Sequence, residues 1–147
     1  MPLKSAGILF YRFENKVLQV LLVHPGGPYW IGKEKGAWSI PKGEFQNDED
    51  PLHAAKRETF EEIGINIDAL PNTLSSLILL KPVKQKSGKI ILAWAAKADV
   101  NISKIKSNDF EIEWPPKSGN RKSFPEVDQA KWMDLEEAKE KILKRFR

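Results

Sequence analysis

A helix with both ends marked constrains this chain more than any other stretch of it. Asp50 is an N-cap residue, Pro51 takes the first helical position, where its missing N–H costs nothing, and Gly64 supplies the left-handed stop. Between them Leu52, Ala55, Thr59 and Ile63 recur at spacings of three and four, which predicts a single core-facing stripe. Such a stripe needs a layer to lie on. The runs "SAGILFYR" and "VLQVLLVH", parted by Glu14-Asn15-Lys16, predict a β-hairpin before the helix. "TLSSLILLKPVKQ" and "KIILAWAAKAD", flanking Lys86-Ser87-Gly88, predict a second hairpin after it. "AWSIP" reads as a short strand leading to Lys42 and Gly43, and "AKWMD" as a last strand entering a C-terminal helix. That helix has Asp134 as N-cap, Glu137 to complete a D-x-x-E box, and Leu135, Ala138, Ile142 and Phe146 as its buried face. The Pro- and Gly-rich segments "HPGGPYWIGKEKG" and "EWPPKSGNRKS" read as surface loops, and Gly26-Gly27 lacks the spacing of a phosphate-cradling P-loop. Strand pairs alternating with two separated helices predict an α/β fold, a sheet covered on both faces.

A chain of 147 residues buries enough surface to fold without staples, and a single domain over residues 1–147 is expected. Cysteine is absent, which excludes disulfides, thiolate nucleophiles and iron–sulfur clusters; with two histidines, zinc sites of the Cys/His type are excluded in practice. No stretch approaches the roughly 20 apolar residues that span a bilayer, and Arg12 interrupts the only apolar run near the N-terminus. A cytoplasmic protein without a membrane partner is the expectation. The formal net charge of +4 comes from lysines mixed with acids along the chain, which argues against a dedicated nucleic-acid-binding face.

The helix carries an anomaly. Glu58, Glu61 and Glu62 fall in its closing turns, where the peptide dipoles make each carboxylate cost roughly 0.3–1 kcal/mol. Their spacing makes them neighbours on one face. At about 6 Å and an effective dielectric of 20, each like-charged pair costs roughly 3 kcal/mol before screening. Protonation, a cation, or lysines such as Lys56 must relieve that repulsion. An all-oxygen donor set without Cys or His favours a hard cation, Mg2+ first and Mn2+ second.

The surroundings of the acids sharpen this. The run from Gly43 to Ile65, "GEFQNDEDPLHAAKRETFEEIGI", resembles the signature of the Nudix hydrolase family, Gx5Ex7REUxEExGU with U an apolar residue. Gly43, Glu49, Arg57, Glu58, Glu61, Glu62 and Gly64 occupy the fixed positions, Ile65 the last U, and Thr59 the first U as a soft departure. Seven fixed positions arise by chance on the order of one time in a million at ordinary residue frequencies, so the match is specific. The resemblance implies an α/β/α sandwich with a mixed central sheet. It implies that Glu58, Glu61 and Glu62 are metal ligands, with Glu58 in some members also helping to deprotonate the attacking water, that the Gly43 carbonyl also reaches a metal, and that Arg57 orients the catalytic box through Glu49. It also implies a metal-dependent pyrophosphohydrolase, cleaving a nucleoside diphosphate linked to another moiety by water attack at phosphorus.

Residues outside the box extend that expectation. "SFPEVDQAKWMDLEEA" is similar to the segment that carries a distal glutamate in RNA pyrophosphohydrolases of the family, which makes Glu126 a candidate base and metal ligand, ahead of Glu111 and Glu113. "AWSIPKGEF" followed by "AAKRETFEEIGI" is similar in style to diadenosine tetraphosphate hydrolases, which points Lys42 toward a polyphosphate and the substrate toward a dinucleoside polyphosphate. RNA 5′ ends and nucleotide sugars are alternative substrates. A nucleotide-sensing module without turnover is the alternative of another class, one that loss of box acids would favour. Trp114, Phe124 and Arg121 are further candidates to bind substrate, beside Tyr29, Trp30, Trp94 and Lys122. The 24–36 segment is longer than the resemblance leads one to expect.

Overall fold

The computed structural model describes residues 3–46, 48–70, 77–84 and 88–142. Its central element is β1 (Lys4–Glu14), which turns through Asn15 and Lys16, both at positive φ, into β2 (Val17–Pro25). A two-residue turn of that hand matches the twist of the paired strands. On its other edge β1 runs parallel to β6 (Ile90–Lys97), which also pairs antiparallel with β4 (Ile78–Leu79) and β5 (Val83–Lys84). The expected second hairpin is therefore present but broken, and its turn residues Lys86 and Ser87 lie outside the described residues. β9 (Val127–Asp134) closes the far side against β2, and the sheet is mixed, as expected of the fold class.

One edge of β1 is shared. Tyr11 to Glu14 pair with β2, whereas Lys4 to Gly7 pair with β3 (Lys42–Phe45). Between the two partners the Ile8 amide donates to the Pro41 carbonyl at 3.2 Å, and the Val23 and Ser39 backbones exchange bonds of 2.8 and 3.0 Å. The strand expected at "AWSIP" is thus reduced to isolated bridges, and the real strand begins after it, because Pro41 has no N–H for a ladder. Gly7 is required at the crossing: a Cβ there would strike the Pro41 carbonyl oxygen and come within 2.6 Å of the Lys42 Cβ.

Alternation along β1 and β2 feeds two cores. Ala6, Ile8, Phe10 and Leu21 pack with Ala54, Ala55 and Ile63 of α1 (Pro51–Ile63). Val20 and Leu22 pack on the opposite face with Trp38, Met133 and Ala138 of α2 (Leu135–Lys141). Helix α1 starts on Asp50, which accepts from the His53 amide, and ends on Gly64 at φ 72°, both as expected. Its stripe is shifted slightly, with Ala54 buried and Leu52 only partly so.

Three expectations need correction. The polar stretch after Asn101 is no simple loop: β7 (Asp109–Glu113) and β8 (Arg121–Pro125) form a separate two-stranded ribbon in the register Glu113↔Arg121. Leu135 is exposed rather than part of the buried face of α2, and Phe146 lies outside the described residues. Asp134 does accept from the Glu137 amide, but the Glu137 carboxylate goes to Lys131 at 2.7 Å instead of closing the box.

Candidate functional site

Where β1 changes partner from β2 to β3, the C-terminal half of α1 lies on β3, with Glu58 against Gly43 and Glu62 bonded to the Lys42 amide. Thr59 shows how the helix stays packed there. Its hydroxyl donates to the Ala55 carbonyl at 2.8 Å while the residue is fully buried, so the polar atom is satisfied locally and the methyl serves the core.

Arg57 is the cation that the acid cluster calls for. Its Nε and Nη2 donate to the two Glu49 oxygens at 2.9 and 3.0 Å, and its Nη1 donates to Glu58 at 2.8 Å and Glu61 at 3.3 Å. The fork matches a carboxylate on Glu49 and spreads the remaining charge over two further acids. Hydrogen bonding to Arg57 holds the Glu49 carboxyl below its usual range. Lys56, considered as a partner for the glutamates, pairs instead with Asp68 at 3.0 Å.

The Glu58 carboxylate lies against Gly43, where a Cβ would collide with it. Burial raises its proton affinity despite Arg57, and Glu61 adds to the rise. Glu62 sits deeper. The Lys42 amide donates to its Oε1 at 3.2 Å, yet burial, with Glu58 and Glu126 beside it, pushes its pKa up to about 8. Glu126 is raised too, by burial and by the charges of Glu58 and Glu61. Glu58, Glu61, Glu62 and Glu126 therefore form one electrostatically linked group. Glu111 and Glu113 do not join it: both stand exposed on β7, and Glu113 accepts from the Lys117 amide.

Backbone hydrogen bonds put Glu126 opposite the helix end. The last carbonyls of α1 are satisfied by Lys106, whose amide donates to Ile63 at 3.0 Å, and by Asn108, whose amide donates to Glu61 at 2.9 Å. The Asn108 carbonyl then accepts the Glu126 amide at 2.8 Å, and the Glu126 carbonyl accepts the Gly26 amide at 3.0 Å.

Glu62, Glu126 and Lys42 open on a cavity of about 170 Å³, whose other wall is made by Val23, Pro25, Ala37, Ile40 and Trp30. Trp114, Phe124 and Arg121 do not line it. Trp114 packs edge-on against Tyr29 with centroids 5.2 Å apart, Phe124 against Phe110 at 6.2 Å, and Arg121 is exposed on β8. Trp94 packs against the α1-side core.

The sequence reasoning missed His24. It is buried, its Nδ1 lies 2.7 Å from Asp128 Oδ1 and its Nε2 2.7 Å from the Lys33 carbonyl, and its ring packs on Trp38 at 5.3 Å. The residue thereby ties the start of the 24–36 segment and its interior at Lys33 to Asp128 of β9. A lone histidine at a strand end carries no pattern by which its partners 9 and 104 positions away could be found.

The donor set suits a hard divalent cation: clustered carboxylates, three of them with pKa values raised by burial and further by one another's charge, next to a glycine backbone that a side chain would shut off. Among the described residues no three of these groups already converge as a closed metal cage, since Glu58 and Glu61 are drawn onto Arg57.

Comparison with known proteins agrees with this geometry. The NUDIX domain family model matches residues 1–147. An RNA pyrophosphohydrolase from Bartonella henselae is 28% identical over 156 residues, covering 90% of this chain and 76% of the relative. The crystal structure of a C. elegans Ap4A hydrolase binary complex superposes with TM-score 0.61 at 26% identity, over 93% of this chain and 83% of that one. The NUDIX domain of Shewanella oneidensis NrtR, complexed with ADP ribose, shares the fold at TM-score 0.62 and 16% identity, over 99% of this chain and 82% of that one.

Proposed function

Because this chain belongs to the NUDIX domain family and is a hydrolase of phosphoric anhydride bonds, we propose that it works with a divalent metal, magnesium, and that its substrate is a dinucleoside polyphosphate. The observation that carries the proposal is the meeting of Glu62, Glu126 and Lys42 at one cavity beside Glu58 and Gly43. The 26% identity to the C. elegans Ap4A hydrolase supports the choice of substrate.

In this reading Glu58, Glu61 and Glu62, with the Gly43 carbonyl and Glu126, hold the metal. When bound, magnesium neutralises the diphosphate and makes water a better nucleophile. The protein does the rest. Arg57 fixes the angle between Glu58 and Glu61 and ties the helix to the loop that carries Glu49, a form of placement worth orders of magnitude in rate. Lys42 meets the polyphosphate as a point charge. Glu126, which lines the cavity, takes the proton of the attacking water as its oxygen bonds to phosphorus; the P–O bond to the bridging oxygen breaks, and the other nucleotide leaves bearing that oxygen as a phosphate.

A second reading, removal of pyrophosphate from RNA 5′ ends, is supported by the Bartonella relatives at 28% identity. A panel of dinucleoside polyphosphates, nucleoside triphosphates, nucleotide sugars and 5′-triphosphorylated RNA, assayed with magnesium and with products identified, separates the two. Fastest turnover on RNA overturns the first reading, and no turnover on any substrate leaves the nucleotide-sensing module in its place.

A further inference from the structure

The cavity has a mixed lining. Lys42, Glu62 and Glu126 give it charge, while Val23, Ile40 and Trp30 give it apolar surface. At about 170 Å³ it is smaller than the roughly 300–1,000 Å³ of pockets that enclose a whole drug-sized ligand. One planar group fits, with the rest of the ligand running out past the carboxylates.

The tryptophans distinguish themselves by what they already touch. Trp38 is buried against His24, Trp132 is buried with its indole donating to the Val100 carbonyl, Trp94 packs on the core, and Trp114 is paired with Tyr29. Trp30 is the tryptophan that lines the cavity, and it stays 36% exposed. Its backbone is held firmly: the Trp30 amide donates to the Gly27 carbonyl at 3.3 Å and the Lys33 amide to the Trp30 carbonyl at 3.1 Å. His24 in turn holds the Lys33 carbonyl, and a Cβ on Gly27 would stand 2.9 Å from the Phe110 ring, so the segment is seated on both sides. The Lys33 ammonium stands 5.6 Å from the Trp30 ring centroid, which places a cation beside the aromatic face. An indole on an anchored backbone, apolar neighbours, a cation at its flank and carboxylates lining the same cavity match a ligand with a flat π-system joined to a phosphate chain.

We propose that Trp30 is the specificity-determining platform on which a nucleobase of the substrate stacks, with Lys33 moving from the indole to the adjoining phosphate. The inference rests on the nucleotide reading of the site given above and adds the residue that recognises the base. It assigns the 24–36 segment, and not the ribbon bearing Trp114, Phe124 and Arg121, to base recognition.

The test is equilibrium binding of AMP and of ribose 5-phosphate, both with magnesium, to the wild-type protein, Trp30→Ala and Trp30→Phe. Base–aromatic stacking is worth about 5- to 150-fold in affinity. Trp30→Ala is expected to weaken AMP by that order, Trp30→Phe to retain most of the affinity, and ribose 5-phosphate to bind all three alike. Equal AMP affinity in wild type and Trp30→Ala overturns the proposal, as does a parallel loss for ribose 5-phosphate, or an absence of saturable AMP binding to the wild type. An expected AMP series combined with no turnover on any diphosphate leaves the base platform standing and removes the hydrolase reading.

Discussion

Arg57 grips Glu49 with two parallel hydrogen bonds, Nε to Oε2 at 2.9 Å and Nη2 to Oε1 at 3.0 Å, and spends its remaining nitrogen on Glu58. A lysine could reach one of these carboxylates but has no fork with which to hold them together. Arg57→Lys is therefore expected to keep the fold while lowering magnesium-dependent kcat by about 100-fold, the scale of loss for a misplacement near 1 Å. Circular dichroism and steady-state kinetics check it; wild-type kcat in the variant would show that one charge suffices.

Two glycines separate folding from chemistry. A Cβ on Gly43 meets only the far end of the Glu58 side chain, which can swing aside, so Gly43→Ala should fold but lose turnover by about 100-fold. A Cβ on Gly7 meets backbone at Pro41, which cannot, so Gly7→Ala is expected to unfold at a markedly lower urea concentration. Urea melts beside activity assays distinguish them, and comparable melting of the two variants would contradict the assignment.

Glu62 sets a pH dependence. Its folded pKa, pushed up to about 8 by burial, lies above the ordinary 4.5 of the unfolded chain. Between those values the folded state holds a proton that the unfolded state has released, so stability without divalent metal falls as pH rises through that window and levels off above it. Each kcal/mol lost lowers Tm by roughly 2–4 °C in a chain of this size. Glu62→Gln should flatten the slope, leaving the smaller contributions of Glu58 and Glu126, which are raised in the same direction. Magnesium should raise Tm more at pH 8 than at pH 6, because it competes with fewer protons. Melting curves across pH with and without magnesium measure all three, and an identical slope in the variant would place the titration elsewhere.

His24 supports the site from below. Replacing it with alanine strips Asp128 and the Lys33 carbonyl of their partner and leaves a void beside Trp38, at an expected cost of about 1–3 kcal/mol in urea denaturation. With the 24–36 segment loosened, KM for a nucleotide substrate should rise more than kcat falls. An unchanged KM would detach this anchor from substrate binding.

Local chemistry was legible and distant chemistry was not. Asp50, Pro51 and Gly64 announce a helix because each acts on backbone groups a few positions away. The acids of the box are legible as an offence against the helix dipole and as a spaced pattern. "AWSIP" misled because its apolar residues suit a strand while Pro41 breaks the ladder, and the true strand, "KGEF", has little β-propensity of its own. The β7–β8 ribbon was hidden by its polarity: Phe110 and Ile112 alternate with acids, but the partners at Phe124 and Lys122 stand beyond a turn rich in proline and glycine. The route from the helix end to Glu126 runs through main-chain atoms, which have no signature in residue identity.

That last route has a consequence for how the protein can vary. Amides and carbonyls of Lys106, Asn108 and Glu126 carry the linkage, and the Ser107 hydroxyl braces it by donating to the Asn108 carbonyl and accepting the Val127 amide, so Ser107 and the core-packed Ile105 are fixed while the exposed side chains of Lys104 and Lys106 are free to drift. Chain length there is not free. Adding or deleting a single residue would shift the phase of the whole relay, so this short connector acts as a ruler whose graduations are peptide units, intolerant of miscounting.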